Sequence, residues 1–250
     1  MTDIFCVASA KGGAGKTTTA FALSCAAAHL GQRVLVIDLD SSRLLSTLLL
    51  SDLPALGILD VMVEPERLAE AAVEALPGIM VLLGASEMYE SRLTPADLGP
   101  VVEAAGALAD VVVIDTEPGR ASLSAPMQLA SRIVIPGQLD VLAMSGAAWT
   151  VGQALDLNLA KKVAGVLPTN VRRPMTVMAR SIHDHLVGRG VALEPSMYST
   201  TKWPAALGAG TLDGYPDLTR AAVEILAAAR SAAPTKAALS AWHSDWRGLG

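Results

Sequence analysis

The stretch that decides the fold is Ala8–Thr19, ASAKGGAGKTTT. It follows the short apolar run Ile4–Ala8 and opens into Lys16–Leu30, a segment rich in alanine and leucine. A strand that ends in a glycine-rich turn and starts a helix brings backbone N–H groups together around a phosphate. Gly12, Gly13 and Gly15 permit the tight bend, and the helix N-terminus adds partial positive charge at the same point. Lys16 is then placed to reach β- and γ-phosphates, with the Thr17 hydroxyl as a magnesium ligand. The ordinary phosphate-loop pattern, G-x-x-x-x-G-K-[ST], is missed by one residue. Gly15, Lys16 and Thr17 fit it, but the leading glycine would fall at Ala10. A second lysine, Lys11, stands on the other side of the glycines.

Outward from this loop, short runs of Val and Ile recur between longer helical stretches. Ile4–Ser9, Val34–Ile37, Ile79–Leu83, Val111–Ile114, Ile133–Ile135 and Val163–Leu167 are apolar on consecutive positions. That is the pattern of parallel strands covered on both faces. A short strand is also expected near Val191–Leu193. Helices are expected over Lys16–Leu30, Pro95–Leu108, Val141–Leu155, Thr176–Val187 and Leu218–Ala229. In the last, Leu218, Ala222, Ile225, Leu226 and Ala229 recur at a spacing near 3.6. The expected fold is α/β: a doubly wound, mostly parallel sheet with helices on both faces, a P-loop NTPase in a single domain. The domain runs over 1–230, and 231–250 is read as a loosely held C-terminal tail. Ser41–Leu56 carries five leucines between Leu44 and Leu50 and reads as a short helix that packs or moves beside the site.

Composition narrows the function. A net charge of −5 gives no global attraction to nucleic acid or anionic membrane, so such binding needs a local basic patch. No uninterrupted apolar stretch reaches the roughly 18 residues of a spanning helix. The run Ile4–Ala8 follows no cationic leader, so a cytoplasmic protein is expected. Cys6 and Cys25 lie in apolar segments and read as reduced core thiols. His183 and His185 fall on different faces of a helix and make a poor metal pair. No cysteine or histidine spacing suits zinc, and no G-x-S-x-G elbow is present. Trp203, Trp242 and Trp246 read as packing residues.

Two strands end in acids: VLVIDLD in Asp38 and Asp40, and VVVIDTEPG in Asp115. An aspartate after four apolar strand residues is costly unless it meets a polar site at the strand's carboxyl end, where open α/β sheets bind ligands. Asp115 is read as a site residue. Asp38 is left open between the site and hydrogen bonding to loop backbone.

KGGAGKTT, VLVIDLD and VVVIDTEPG, in this order and spacing, resemble the ParA/MinD family of deviant-Walker ATPases. The family pattern K-G-G-x-G-K-T-T asks for no glycine at Ala10, and the likeness extends over about residues 3–230. It implies ATP/ADP and Mg2+ as cofactors, with Lys11, Gly12, Gly13, Ala14, Gly15, Lys16, Thr17 and Thr18 around the nucleotide. Lys11 corresponds to the signature lysine, which crosses to the nucleotide of a second subunit in an ATP-sandwich homodimer. A lysine on the rim of one site gains little in water, but gains from phosphates apposed across a seam. Asp40 corresponds to the residue that positions the attacking water and also joins the metal set. Asp115 corresponds to the Walker B residue near magnesium. Lys11, Lys16 and Asp40 form the implied catalytic set. Asn170, in VAGVLPTNVRR, resembles the adenine-recognising residue and has the donor and acceptor for it. Two departures stand out: Ser41–Ser42 after Asp40, and Thr116-Glu117-Pro118-Gly119 after Asp115. Glu117 is read as facing solvent, and hydrolysis is expected to be slow and partner-stimulated.

The implied function is a ParA-type ATPase that binds DNA without sequence preference and segregates or positions it, associating with the nucleoid in its ATP state. The DNA surface is expected among Arg172, Arg173, Arg180, Arg189, Lys202, Arg220 and Arg230. A ParB-like or relaxosome-type protein is the expected partner. SSRLLSTLL, IVIPGQLDVLAMSGA and EPSMYSTTKWPAAL carry a weaker likeness to VirC-type relatives that assist conjugative DNA transfer. A MinD-like positioning ATPase, or a nucleotide-binding adaptor without turnover, would carry the same loop. The end LSAWHSDWRGLG is too short and too weakly basic to favour membrane targeting, so no stable membrane association is expected.

Overall fold

The computed structural model describes residues 2–88, 92–119 and 121–246. Its strands are β1 (Asp3–Val7), β2 (Val34–Asp38), β3 (Ala72–Leu76), β4 (Ile79–Leu82), β5 (Val111–Asp115), β6 (Arg132–Gln138) and β7 (Val163–Thr169). They form one sheet in the order β3-β4-β2-β5-β1-β6-β7. Every pairing is parallel except that of β3 with β4. The connections carry α1 (Lys16–His29), α2 (Leu44–Leu49), α3 (Ile58–Val63), α4 (Leu68–Ala71), α5 (Pro95–Leu108), α6 (Ser124–Leu129) and α7 (Val141–Asp156). After β7 come α8 (Val177–Gly188), α9 (Lys202–Gly208), α10 (Pro216–Ser231) and α11 (Lys236–Trp246). Among the described residues no helix is long and apolar enough to cross a membrane.

Strand side chains alternate between two buried layers, as a doubly covered sheet requires. Phe5 and Val7 pack with Phe21 and Leu23 of α1 and with Ile225 and Leu226 of α10. Their neighbours Cys6 and Ala8 point the other way, towards Met144 and Val151 of α7. Leu35, Ile37, Val112 and Ile114 meet α5 on that second face. The five apolar positions that predicted α10 are all buried. Both cysteines are free and buried. Burial, and next the charge of Asp115, push the Cys6 thiol far up, while burial pushes Cys25 to about 12.

Three expectations change. The edge strand β3 is an addition to the strands expected. The strand expected at Val191–Leu193 is a single bridge, Val166 to Ala192. The region read as a loose tail contains α11, which packs on α7; residues 247–250 lie outside the described residues. Leu239 and Trp242 of α11 are fully buried, and His243 Nδ1 lies 2.8 Å from the Ala148 carbonyl. Trp203 and Trp242 are therefore packing residues, as expected.

A fully buried tryptophan contributes some 150–250 Å² of burial, and truncation to alanine typically costs about 3–5 kcal/mol. The Trp242 indole N–H has no hydrogen-bond partner among the described residues, and that offsets part of the gain. Trp242→Ala is accordingly expected to lower unfolding stability by about 3 kcal/mol, read from the urea midpoint at constant m.

Candidate functional site

Parallel register gathers the site. Asp38 and Asp115 are neighbours at the carboxyl ends of β2 and β5, and Val7 of β1 pairs with Asp115 on its other side. The glycine-rich loop leaves β1 at this edge and enters α1 at Lys16. Gly15 has φ +94°, and a Cβ there would lie 3.3 Å from Thr169. A side chain would therefore be strained by conformation as well as crowded.

The loop is braced from other elements. The Ala10 N–H donates to Thr150 Oγ1 (3.0 Å), Gln138 Nε2 donates to the Gly13 carbonyl (2.8 Å), and Thr169 Oγ1 donates to the Ala14 carbonyl (2.7 Å). Two loop carbonyls are thus engaged by side chains from the ends of β6 and β7. That arrangement suits amide groups turned towards an anion. Gly146 of α7 makes a close approach possible on the other flank, because a Cβ there would meet Lys11 Cβ at 2.8 Å. Sequence reasoning misses Gln138, Thr150, Thr169 and Gly146. The available signal is the placement of Gln138 and Thr169 at strand ends beside the loop.

The two lysines part company. Lys16 is buried, at 6% exposure. Desolvation lowers its pKa, and the charges of Asp115, Asp40 and Glu117 work against that shift. Lys11 is half-buried on the rim, and no hydrogen bond or ion pair engages it among the described residues. It borders a wide groove of about 910 Å3 that runs past Gly146, Trp149 and Gly152 to His243 and Trp246. Gly12 and Gly13 are exposed, Ala14 is buried, and Thr17 and Thr18 are half-buried.

The acids differ in their surroundings. Asp115 is fully buried, and neither carboxylate oxygen has a hydrogen-bond partner among the described residues. Burial, and then the nearby charge of Asp38, raise its pKa well above the usual range. The Thr17 hydroxyl is near enough to oppose that shift, as is Lys16, although Thr17 does not reach hydrogen-bond geometry. A buried carboxylate with unfilled lone pairs beside a threonine hydroxyl fits a cation arriving with phosphate. No group of three or more His, Cys, Asp or Glu among the described residues could hold a metal without such help.

Asp38 is a loop organiser. Its Oδ2 accepts from the Ser46 amide and hydroxyl (2.9 and 2.7 Å), and its Oδ1 accepts from the Asp40 amide (3.1 Å). Burial raises its pKa, against the pull of those Ser46 hydrogen bonds. Asp40 is half-buried, and its Oδ1 accepts from the Ser42 amide at 2.9 Å. Glu117 does not face solvent. It is 6% exposed, and its Oε2 accepts from the Ser41 amide at 2.6 Å. The Ser122 hydroxyl donates to the Glu117 carbonyl at 3.3 Å.

Asn170 is exposed with a left-handed φ of +52°. It lines a cavity of about 210 Å3 with Gly13, Gly15, Thr18 and Gln138. This brings it to the glycine loop, whereas the larger groove lies on the opposite, Lys11 flank. Of the seven basic residues, Arg189, Lys202 and Arg230 pair with Asp245, Asp217 and Asp3. Arg173 stacks over Tyr198 at 3.7 Å. Arg172, Arg173 and Arg180 are exposed between the end of β7 and the first turns of α8, and Arg220 is exposed on α10.

Residues 2–162 match the family described as AAA domain. The chain is 30% identical over 179 residues to the chromosome-partitioning ATPase Soj of Thermus thermophilus, spanning 65% of this chain and 67% of Soj. It superposes on the McdA(D38A)-ATP complex of Cyanothece with a TM-score of 0.76 at 22% identity, covering 91% of this chain and 96% of McdA. Cobyrinic acid a,c-diamide synthase of Mycobacterium smegmatis with bound ADP and magnesium gives a TM-score of 0.69 at 24% identity, covering 87% and 93%.

Proposed function

The chain belongs to the ParA/MinD family of P-loop ATPases, and we propose that it binds ATP with magnesium at Lys11–Thr18 and pairs with a second copy across that site. The observation that carries this reading is the division between the two lysines. Lys16 is buried against the loop, while Lys11 is held by the close approach of α7 on the rim, with no partner among the described residues. A buried ammonium suits the triphosphate of its own site, and a rim ammonium suits one held by a second copy. Each nucleotide then meets positive charge from two chains, and the copies associate only while triphosphate is present.

In this reading Thr17 and Asp115 hold the cation, which supplies positive charge to the phosphate oxygens when bound. Asp40 orients the attacking water, and Asn170 offers its amide to adenine from the neighbouring cavity. Hydrolysis removes the shared γ-phosphate and with it the attraction across the seam. The McdA–ATP and synthase–ADP–magnesium structures support the choice of ligands. The relation to a chromosome-partitioning ATPase supports a role in segregating or positioning DNA, with a ParB-like or relaxosome-type partner. Arg172, Arg173 and Arg180, duplicated across a dimer, supply the non-specific DNA surface. Docking of α11 on α7 argues against a MinD-like role for that helix, since Leu239 and Trp242 are already packed within the chain.

The test is light scattering with a non-hydrolysable ATP analogue and Mg2+. The wild type is expected to dimerise. Lys11→Ala is expected to bind the analogue normally yet dimerise about a hundredfold more weakly, because one partner of each buried charge pair is gone. Salt-sensitive retention on arbitrary DNA is expected to fall with it. A wild-type chain that stays monomeric at saturation overturns the reading.

A further inference from the structure

We propose that Glu117 is a positioning residue for Asp40, a buried carboxylate that ties the loop after β2 to the turn after β5. The proposal rests on reading the site as a centre of ATP hydrolysis.

Three consecutive amides of that loop donate to carboxylates. Asp40 N–H goes to Asp38, Ser41 N–H to Glu117 and Ser42 N–H to Asp40. The first and last bonds span two residues, so they shape the loop without fixing it to anything beyond itself. The middle bond spans 76 residues and is the shortest of the three, at 2.6 Å. It attaches the peptide next to Asp40 to the turn that directly follows Asp115. With the Leu39 N–H bond to the Asp115 carbonyl (2.8 Å), it fixes the peptides on both sides of Asp40 to the end of β5 and the turn after it.

An acid is a costly choice here. Glu117 is buried, at a cost in lost solvation, and its charge acts on Lys16, as do those of Asp115 and Asp40. A solvated surface acid would carry no such cost. The short amide bond and the attraction of Lys16 compensate, and both aim the side chain at the nucleotide loop rather than outward. The Leu39 N–H, which donates to the Asp115 carbonyl, still ties the chain before Asp40 to β5. Loss of the Glu117 tether leaves the peptide after Asp40 held only by local bonds, and small displacements of a catalytic group are expensive in rate.

The experiment compares Glu117→Ala and Glu117→Gln in the full chain. Steady-state ATP hydrolysis is measured with Mg2+, and amide hydrogen exchange over residues 39–43 is measured without nucleotide. Glu117→Ala is expected to lower kcat about ten- to hundredfold while KM stays within about twofold. Its Ser41 amide should exchange faster. Glu117→Gln keeps an acceptor oxygen at the same reach and should restore most of both properties. Equal loss of kcat in both variants, with Ser41 still protected in Glu117→Gln, would make Glu117 a group that touches the water itself and overturn the positioning role. Unchanged exchange in Glu117→Ala also overturns it. Exchange needs no turnover, so a wild type without hydrolysis would defeat the ATPase reading separately, leaving the tether to be judged by the amide alone.

Discussion

Lys16→Ala is expected to weaken binding of MgATP by roughly thirty- to a few thousandfold, the loss that follows when one partner of a buried charge pair is truncated. The direction follows from what surrounds the ammonium. Lys16 is almost wholly buried, and Asp115, Asp40 and Glu117 all act on it. Its removal leaves these acids facing an incoming triphosphate with no side-chain cation of the same site between them. The brace from Gln138 and Thr169 and the start of α1 stay in place, so the loop keeps its shape and loses its charge. Isothermal titration with ATP and Mg2+ reads the affinity directly. Wild-type affinity in this variant would show that the loop does not use Lys16 for phosphate.

Asp40→Ala is expected to have the opposite profile: near-normal nucleotide affinity with hydrolysis reduced about a hundred- to ten-thousandfold, the range over which a positioned acid–base group contributes. Asp40 lies two residues past the Asp38 anchor and is half-buried at the mouth of the site. It therefore offers a carboxylate to water without being needed to shape the loop backbone through its side chain, apart from the Ser42 contact. With ATP bound and uncleaved, the paired state should persist, so light scattering with ATP itself should report dimers that the wild type loses on turnover. Hydrolysis at the wild-type rate would remove Asp40 from the water-positioning role.

The parts of the fold that were legible had strong local signals. β2 and β5 are unbroken apolar runs ending in aspartate, and α10 has a clean 3.6-residue stripe. The edge strand β3, with sequence AVEAL, has neither. It is half-exposed, pairs on one side only, and its alanines favour helix as readily as strand. α11 concealed itself in a sequence of small and mixed residues whose packing rests on Leu239 and Trp242. At the site, the motif lysines, glycines and threonines could be read because their chemistry depends on local spacing. The braces could not. Thr150 and Thr169 act on the loop backbone from 140 and 155 residues away, and the only mark on either is the position of Thr169 at the end of β7. Glu117 illustrates a third limit. An acid before Pro-Gly is equally compatible with solvent and with an inward turn, and only its bond to the Ser41 amide, 76 residues away in sequence, decides between them.

Because both native thiols are buried and shifted out of the thiolate range, the chain should behave towards maleimides as though it had no cysteine. A single cysteine at the exposed Ser42 would then carry a fluorophore alone. The untouched protein would serve as its own dark control, and movement of the loop beside Asp40 could be followed in real time without first rebuilding the core around a substituted Cys6.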